Sequence, residues 1–159
     1  MTRVLLVCTG NICRSPLAEA LLRRELELRG EDGMGVSSAG TGAWEGAPAS
    51  EGAYLVGLEH GLDLSTHRAR LLTRDVVRDA DIILTMARHH RARVQELGGE
   101  GRTYVLGEYV GITGPDAEVA DPFGSDLEVY RDTCEQLEKL TQKAVERLME
   151  EESDADRRE

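Results

Sequence analysis

The sequence predicts a three-layer α/β sandwich, in which helices flank a four-stranded parallel sheet and a phosphate-binding loop directly follows the first strand. Two observations predict it. Short apolar segments alternate with helical ones along the 159 residues, which is typical of parallel strands joined by crossover helices. The first apolar segment leads straight into a loop, residues 8–15, that opens a helix. Ligands of open α/β sheets bind at this carboxyl edge of the strands.

Each predicted strand is a short apolar run, of the length that a sheet inside a small domain requires. The four runs are residues 3–7, 34–38, 81–85 and 103–106. The first helix is predicted from Pro16 to about Arg29, because proline is favoured at a first helical position, Ser15 can cap it and Gly30 is a typical stop. Its apolar stripe is predicted to contain Leu17, Leu21 and Leu28.

The last helix is predicted to begin at Ser125, which has Glu128 three residues later in the spacing of a capping box. Apolar residues recur along it at roughly helical intervals: Leu127, Tyr130, Cys134, Leu137 and Leu148. We interpret Cys134 as a packing residue, since unmodified cysteine behaves as a small hydrophobe. Residues 150–159 are acidic, lack an apolar period and are expected to be frayed or disordered, which leaves residues 1–149 as a single domain.

The composition excludes several classes of partner. The formal charge of −11 argues against nucleic acid. The sequence contains neither an apolar segment long enough for a bilayer nor a signal peptide, so no membrane contact is expected. Three cysteines are an odd number for a disulfide scaffold, which favours free thiols and a cytoplasmic location.

The loop at residues 8–15 reads Cys-Thr-Gly-Asn-Ile-Cys-Arg-Ser and has the features of a phosphate cradle. So short a loop turns its N–H groups toward one centre, and the following helix start adds free donors and a positive dipole end. Thiolates are favoured in such a position, which makes Cys8 the candidate nucleophile. Arg14 brings a planar fork that can grip two phosphoryl oxygens. The remaining predicted loop contacts are Thr9, Gly10, Asn11, Ile12, Cys13 and Ser15.

A second reactive group is predicted in the long connection of residues 107–124, which contains the sequence Asp121-Pro122-Phe123-Gly124. Long irregular connections in small domains are usually functional or disordered. Pro122 fixes its own backbone and restricts Asp121, so the carboxyl group is held on a stiff support. Because this connection also leaves the carboxyl edge of the sheet, Asp121 is expected to face the Cys8 loop.

The chain resembles the low-molecular-weight protein tyrosine phosphatases from Val4 to about Met149. The resemblance is carried by four segments: the loop at 8–15, Ser-Ser-Ala-Gly-Thr at 37–41, Leu-Ser-Thr-His at 64–67, and Asp-Pro at 121–122. It implies the strand order 2-1-3-4 and hydrolysis of phosphoproteins through a phosphocysteine, without metal or other cofactor and with inorganic phosphate as product. The chain departs from familiar members at Thr9, often Leu, and at Ala87, where an acidic residue is common.

The resemblance also implies a role for each matching residue. Cys8 would be the nucleophile, Arg14 the clamp on the phosphoryl group, and Asp121 the acid for the leaving oxygen and then the base for water. The supporting residues around the loop would be Ser15, Asn11, Ser38 and His67. Cys13 would be the redox partner of Cys8 in a reversible switch, provided that the two Cα atoms lie within about 7 Å.

Histidines and cysteines elsewhere suggest no further chemistry. His89 and His90 lie at an arginine-rich helix start and are expected to be solvated, and no metal site is expected. An arsenate reductase of the same fold would need further cysteines near the third strand, and the sequence has none between Cys13 and Cys134. A phosphate-binding module without turnover is the remaining alternative of a different class.

The substrate class depends on the predicted pocket walls. An aliphatic Ile12, an aromatic Trp44 and Phe123 would accommodate a phenyl ring, which favours phosphotyrosine. Protein arginine phosphatases are a branch of the same family and generally have threonine at the position of Ile12. They share the Asp-Pro-Phe-Gly sequence, whereas tyrosine-specific members more often have an aromatic residue at the position of Gly124. Phosphoarginine is therefore the alternative substrate.

Overall fold

The computed structural model describes residues 1–158. At its centre lies a four-stranded parallel sheet with the order β2-β1-β3-β4, which confirms the predicted topology. The strands are β1, Thr2–Cys8; β2, Met34–Gly40; β3, Ile82–Thr85; and β4, Thr103–Val105. Cys8 pairs with Gly40, and Val7 pairs with Thr85, so the loops that follow β1, β2 and β3 begin at a common edge.

Helices cover both faces of the sheet and complete the predicted sandwich. They are α1, Arg14–Leu28; α2, Glu51–Glu59; α3, Arg74–Arg78; α4, Arg88–Glu96; α5, Leu106–Tyr109; and α6, Leu127–Arg158. Side chains of β1 alternate between two cores, as the two-residue period of a strand requires. Leu6 and Cys8 belong to the core shared with α1 and α6, whereas Leu5 and Val7 pack with Val94 of α4.

The first helix differs from the prediction in its start and in its buried stripe. It begins at Arg14, and Ser15 does not cap it, because the Ser15 hydroxyl is engaged within the loop. Leu28 is 74% exposed, and Leu26 is buried in its place. Side chains two residues apart are separated by about 200° around the helix axis, so Leu26 and Leu28 point to nearly opposite sides.

The last helix also differs at both ends. Asp126 rather than Ser125 caps it, with Oδ1 accepting a hydrogen bond of 3.1 Å from the backbone N–H of Val129. Residues 150–158 continue this helix to Arg158, where a frayed or disordered tail was expected. Glu151 accepts a 2.8 Å hydrogen bond from the buried Tyr109 hydroxyl, which gives the polar segment a tertiary contact. The last residue of that predicted tail lies outside the described residues.

Candidate active site

The loop between β1 and α1 is held by one buried asparagine. Asn11 has a left-handed φ of 55°, which asparagine tolerates better than most residues, and this conformation lets the loop curl. Its Nδ2 donates to the Ser15 hydroxyl at 2.7 Å and to the Ser38 hydroxyl at 2.9 Å. Its Oδ1 accepts a 2.9 Å bond from the backbone N–H of Arg70. His67 Nε2 lies 2.6 Å from the Asn11 carbonyl, so every predicted supporting residue is in contact with this loop.

Strand β2 passes close behind the loop, and a glycine makes the approach possible. A Cβ atom on Gly40 would lie 2.4 Å from the Thr9 carbonyl oxygen and 2.8 Å from the Asn11 nitrogen. The next two residues, Thr41 and Gly42, donate backbone hydrogen bonds of 3.0 and 2.9 Å to the carbonyls of Cys8 and Thr9. The loop is therefore fixed from outside as well as from within.

The Cys8 sulfur lies where the loop and the helix start meet. The residue is only 2% exposed, and its Sγ is 3.0 Å from the Ser15 hydroxyl. Because Asn11 already donates to that hydroxyl oxygen, the Ser15 proton is free to be donated to the sulfur. A hydrogen bond donated to sulfur stabilises the thiolate form, which is the nucleophile.

Arg14 is buried, and one of its guanidinium nitrogens is hydrogen-bonded to the backbone. Nη1 donates to the Val119 carbonyl at 2.9 Å, and Nη2 lies 3.4 Å from the Thr9 hydroxyl. Nε is buried and has no hydrogen-bond partner among residues 1–158. Buried donors are almost always paired in native proteins, so the Nε and Nη2 edge is suited to an anion with two oxygens.

Asp121 lies beside the same loop and lines the same cavity. Its Oδ2 lies 3.6 Å from Arg14 Nη2, and its side chain is half exposed. Its Oδ1 accepts a 3.1 Å hydrogen bond from the backbone N–H of Phe123, which orients the carboxyl group. The connection that carries Asp121 is tied to the sheet through a 2.9 Å bond from the Val119 N–H to the Met86 carbonyl.

The predicted reactive residues Cys8, Arg14 and Asp121 share one cavity of about 180 Å³. It is lined by Cys8, Thr9, Gly10, Ile12, Cys13, Arg14, Asp121 and Phe123. Ile12 and Phe123 supply apolar walls, as the pocket prediction required. Trp44 does not line the cavity and is 84% exposed, whereas its neighbour Ala43 is buried.

Cys13 lies on the inner side of the loop as a buried free thiol. Its Sγ is 3.1 Å from the Ser50 hydroxyl and 3.5 Å from the Tyr130 hydroxyl. Burial raises the pKa of the Cys13 thiol, and the two hydroxyl contacts partly oppose this change. Burial of the Tyr130 side chain, together with its contact to Cys13, raises the pKa of Tyr130 to about 12. Burial thus favours the protonated thiol form of Cys13 within the loop.

His90 is the residue that sequence reasoning missed. It was expected in solvent, yet it is completely buried in α4, and its Nε2 lies 2.9 Å from the Thr9 hydroxyl. Burial is the main cause that lowers the pKa of His90 to about 3, and the charges of His89 and Arg14 add to it. Its spacing of four from the buried Val94 is the signal that could have identified an inward-facing position.

Two classes of feature are missing from the part of the chain that the structure describes. Residues 1–158 contain no group of three or more His, Cys, Asp or Glu side chains arranged to hold a metal ion. No helix among them combines the length and the apolarity needed to cross a bilayer.

Comparison with known proteins agrees with this geometry. A family model described as low molecular weight phosphotyrosine protein phosphatase matches residues 3–154. The chain belongs to this family. It is 37% identical over 147 residues to the probable low molecular weight protein-tyrosine-phosphatase EpsP of Ralstonia nicotianae, covering 91% of this chain and 94% of that protein. It is 39% identical over 148 residues to a protein-arginine-phosphatase of Geobacillus stearothermophilus, covering 92% and 95% respectively.

A solved structure in the same phosphatase family bears on the chemistry. The YwlE arginine phosphatase, as a cysteine-to-serine mutant with a phosphorylated active site serine, superposes on this chain with a TM-score of 0.86. The two share 32% sequence identity, and the match covers 93% of this chain and 96% of the other. A phosphoryl group on the residue that replaces the cysteine is consistent with a phosphocysteine intermediate in the family.

Proposed function

We propose that this protein hydrolyses phosphotyrosine in proteins through a covalent phosphocysteine on Cys8. The observation that carries the proposal is the meeting of Cys8, Arg14 and Asp121 around one small cavity. The cavity offers a nucleophile, a cationic fork and a carboxyl group without requiring a metal ion, because Arg14 and the loop N–H groups supply the positive potential. We also infer a cytoplasmic location, since Cys8, Cys13 and Cys134 are free thiols.

In the first step, the Cys8 thiolate attacks phosphorus and the bond from phosphorus to the tyrosine oxygen breaks. Asp121 donates its proton to that oxygen, which leaves as a neutral phenol. Arg14 stabilises the equatorial phosphoryl oxygens while charge moves from sulfur to the leaving group. The Ser15 hydroxyl favours the thiolate, both as the attacking group and as the group that later leaves.

In the second step, the ionised Asp121 accepts a proton from water, and the water oxygen attacks phosphorus. The bond from sulfur to phosphorus breaks and returns the Cys8 thiolate, while inorganic phosphate is released. Asp121 regains its proton in this step, so the cycle is balanced. Its half-exposed position suits both roles, because water can reach it.

The pocket walls support phosphotyrosine as the substrate. Ile12 and Phe123 border the cavity, and apolar side chains there suit the aromatic ring of phosphotyrosine. Phe123 is 64% exposed, so a bound ring would bury additional apolar area on it. Trp44 does not contribute to this argument, since it lies outside the cavity.

Phosphoarginine is a second candidate, and a specific observation favours it. The sequence Asp121-Pro122-Phe123-Gly124 is the one associated above with arginine phosphatases, and Gly124 has a φ of 81° that glycine adopts without strain. A relative named as a protein-arginine-phosphatase is as similar to this chain as one named as a tyrosine phosphatase. A half-exposed carboxylate beside the pocket would also attract a guanidinium group.

A paired assay tests both candidates. Phosphotyrosine and phosphoarginine peptides of one sequence are hydrolysed by wild type in the presence of a chelator, with Cys8→Ser as the inactive control. We expect a higher kcat/KM for phosphotyrosine and a loss of kcat of about a hundredfold or more in Asp121→Asn. Ile12→Thr is expected to shift the ratio toward phosphoarginine. Equal wild-type rates with an unchanged ratio in Ile12→Thr would refute the pocket argument.

A further inference from the structure

The Thr9 side chain connects the active-site cavity to the buried face of α4. Thr9 is exposed and lines the cavity beside Cys8. Its hydroxyl oxygen lies 2.9 Å from Nε2 of His90, a ring with no exposure to solvent. The reaction steps proposed above involve neither Thr9 nor His90.

The position of His90 does not depend on Thr9. The segment that leads into α4 is fixed to the sheet by a 3.0 Å bond from the Met86 N–H to the Val7 carbonyl. The Thr85 hydroxyl donates to the Ala87 carbonyl at 2.9 Å and fixes the turn before the helix. His90 is therefore anchored by the scaffold, and the flexible partner in the pair is the exposed Thr9 hydroxyl.

The proton on the His90 ring can be assigned from hydrogen-bond accounting. The ring is neutral at ordinary pH, since its pKa is lowered to about 3 by burial and by the charges of His89 and Arg14. Its Nδ1 is buried and has no partner among the described residues. A buried N–H without a partner is rarer and more costly than a buried lone pair without one. The proton thus belongs on Nε2, which donates to the Thr9 hydroxyl oxygen.

This assignment determines what the Thr9 hydroxyl can do. Its oxygen accepts one bond from His90 Nε2 and a second, longer one of 3.4 Å from Arg14 Nη2. A hydroxyl oxygen has two acceptor sites, and both are then occupied. The hydroxyl proton remains available for a third direction, into the cavity that Thr9 lines.

We propose that His90 is a positioning residue that acts through Thr9, aiming the Thr9 hydroxyl proton at a phosphoryl oxygen held by Arg14 above Cys8. This proposal rests on the proposed phosphatase function and deepens it. The donated hydrogen bond adds to the loop N–H groups and to Arg14, and it strengthens as negative charge builds up on the phosphoryl oxygens. His90 itself touches neither substrate nor the reacting atoms.

A double-mutant cycle separates this role from simple packing. Thr9→Val removes the hydroxyl and keeps the shape of the side chain. His90→Met fills a similar volume without a donor, whereas His90→Gln carries a donor of similar reach. We expect Thr9→Val and His90→Met each to lower kcat/KM for an aryl phosphate about tenfold, and His90→Gln to stay within about threefold of wild type. Thr9→Val combined with His90→Met is expected to be no slower than Thr9→Val alone.

Two outcomes would overturn the proposal. In the first, His90→Met lowers kcat/KM by the same factor in wild type and in Thr9→Val. In the second, kcat/KM of His90→Gln is as low as that of His90→Met. Both would mean that His90 acts through packing alone. If wild type binds inorganic phosphate but hydrolyses no phosphate ester, the proposed function fails instead. The same variants, measured by calorimetric titration with phosphate, then decide the role of His90 independently, with the same non-additive pattern expected in Kd.

Discussion

The buried His90 should make this protein sensitive to mild acid, in a range where most carboxylates are still ionised. Its pKa is 6.5 in a solvated reference state and about 3 in the fold, and burial is the main cause. Between these values the unfolded chain binds a proton that the folded chain does not. The free energy of unfolding therefore includes a contribution that is complete above pH 6.5 and is lost as the pH falls toward 3.

The magnitude follows from the two pKa values. One pKa unit corresponds to about 1.4 kcal/mol, so lowering the pH from about 7 to about 5 should cost about 2 kcal/mol from His90 alone. His90→Gln carries no titratable group and should lack this loss. Subtracting the pH dependence of unfolding of His90→Gln from that of wild type cancels the contribution of the carboxylates, because both proteins contain the same carboxylates.

Urea denaturation followed by circular dichroism, at several pH values between about 7 and 5, measures this difference. Parallel pH dependences for wild type and His90→Gln would refute the reasoning. A second measurement does not require the variant: the NMR signals of the His90 ring should remain those of a neutral imidazole throughout this range. A titration of that ring near its solvated value would contradict the buried, neutral state.

Three further predictions concern the loop and the helix end. Asn11→Ala should lower the free energy of unfolding by about 3 kcal/mol, since it removes three side-chain hydrogen bonds and places alanine at a left-handed φ. Asn11→Gly should be less destabilised than Asn11→Ala by about 1 kcal/mol, because glycine adopts this φ without strain. Cys13→Ser should keep normal turnover under reducing conditions, but thiols should no longer restore activity after peroxide treatment; full recovery would exclude a link between Cys8 and Cys13. Glu151→Ala should destabilise by about 1–2 kcal/mol, because it leaves the buried Tyr109 hydroxyl unpaired. An unchanged urea midpoint would mean that the helix end contributes nothing.

The sheet, and the grouping of Cys8, Arg14 and Asp121 around one cavity, could be predicted because their signals are local in sequence. Cys8 and Arg14 share one short loop, and Asp121 is marked by the following proline. The capping of the helices was harder, since Ser15 and Ser125 have the right chemistry but neither of them caps its helix. Ser15 is engaged by Asn11 and Cys8, and Asp126 is the residue that caps α6.

The misplaced residues depend mainly on tertiary contacts, and for His90 the local sign was its spacing of four from the buried Val94. His90 looked solvated because arginines surround it in sequence, yet its side chain points toward Thr9 on a different strand connection. Residues 150–158 looked disordered because they are polar, yet they continue α6, and Glu151 among them accepts a hydrogen bond from Tyr109. Trp44 was expected in the pocket, but its side chain is exposed and the buried residue at this point of the chain is its neighbour Ala43.

The outward position of Trp44 has a practical consequence for spectroscopy. It is the only tryptophan of the chain, and its indole is already in water when the protein is folded. Intrinsic fluorescence should therefore change little on unfolding, and the emission maximum of the native protein should resemble that of a free indole. Because Trp44 is exposed and is the only tryptophan, its fluorescence can report on molecules that bind to the surrounding surface, without a signal from a buried tryptophan.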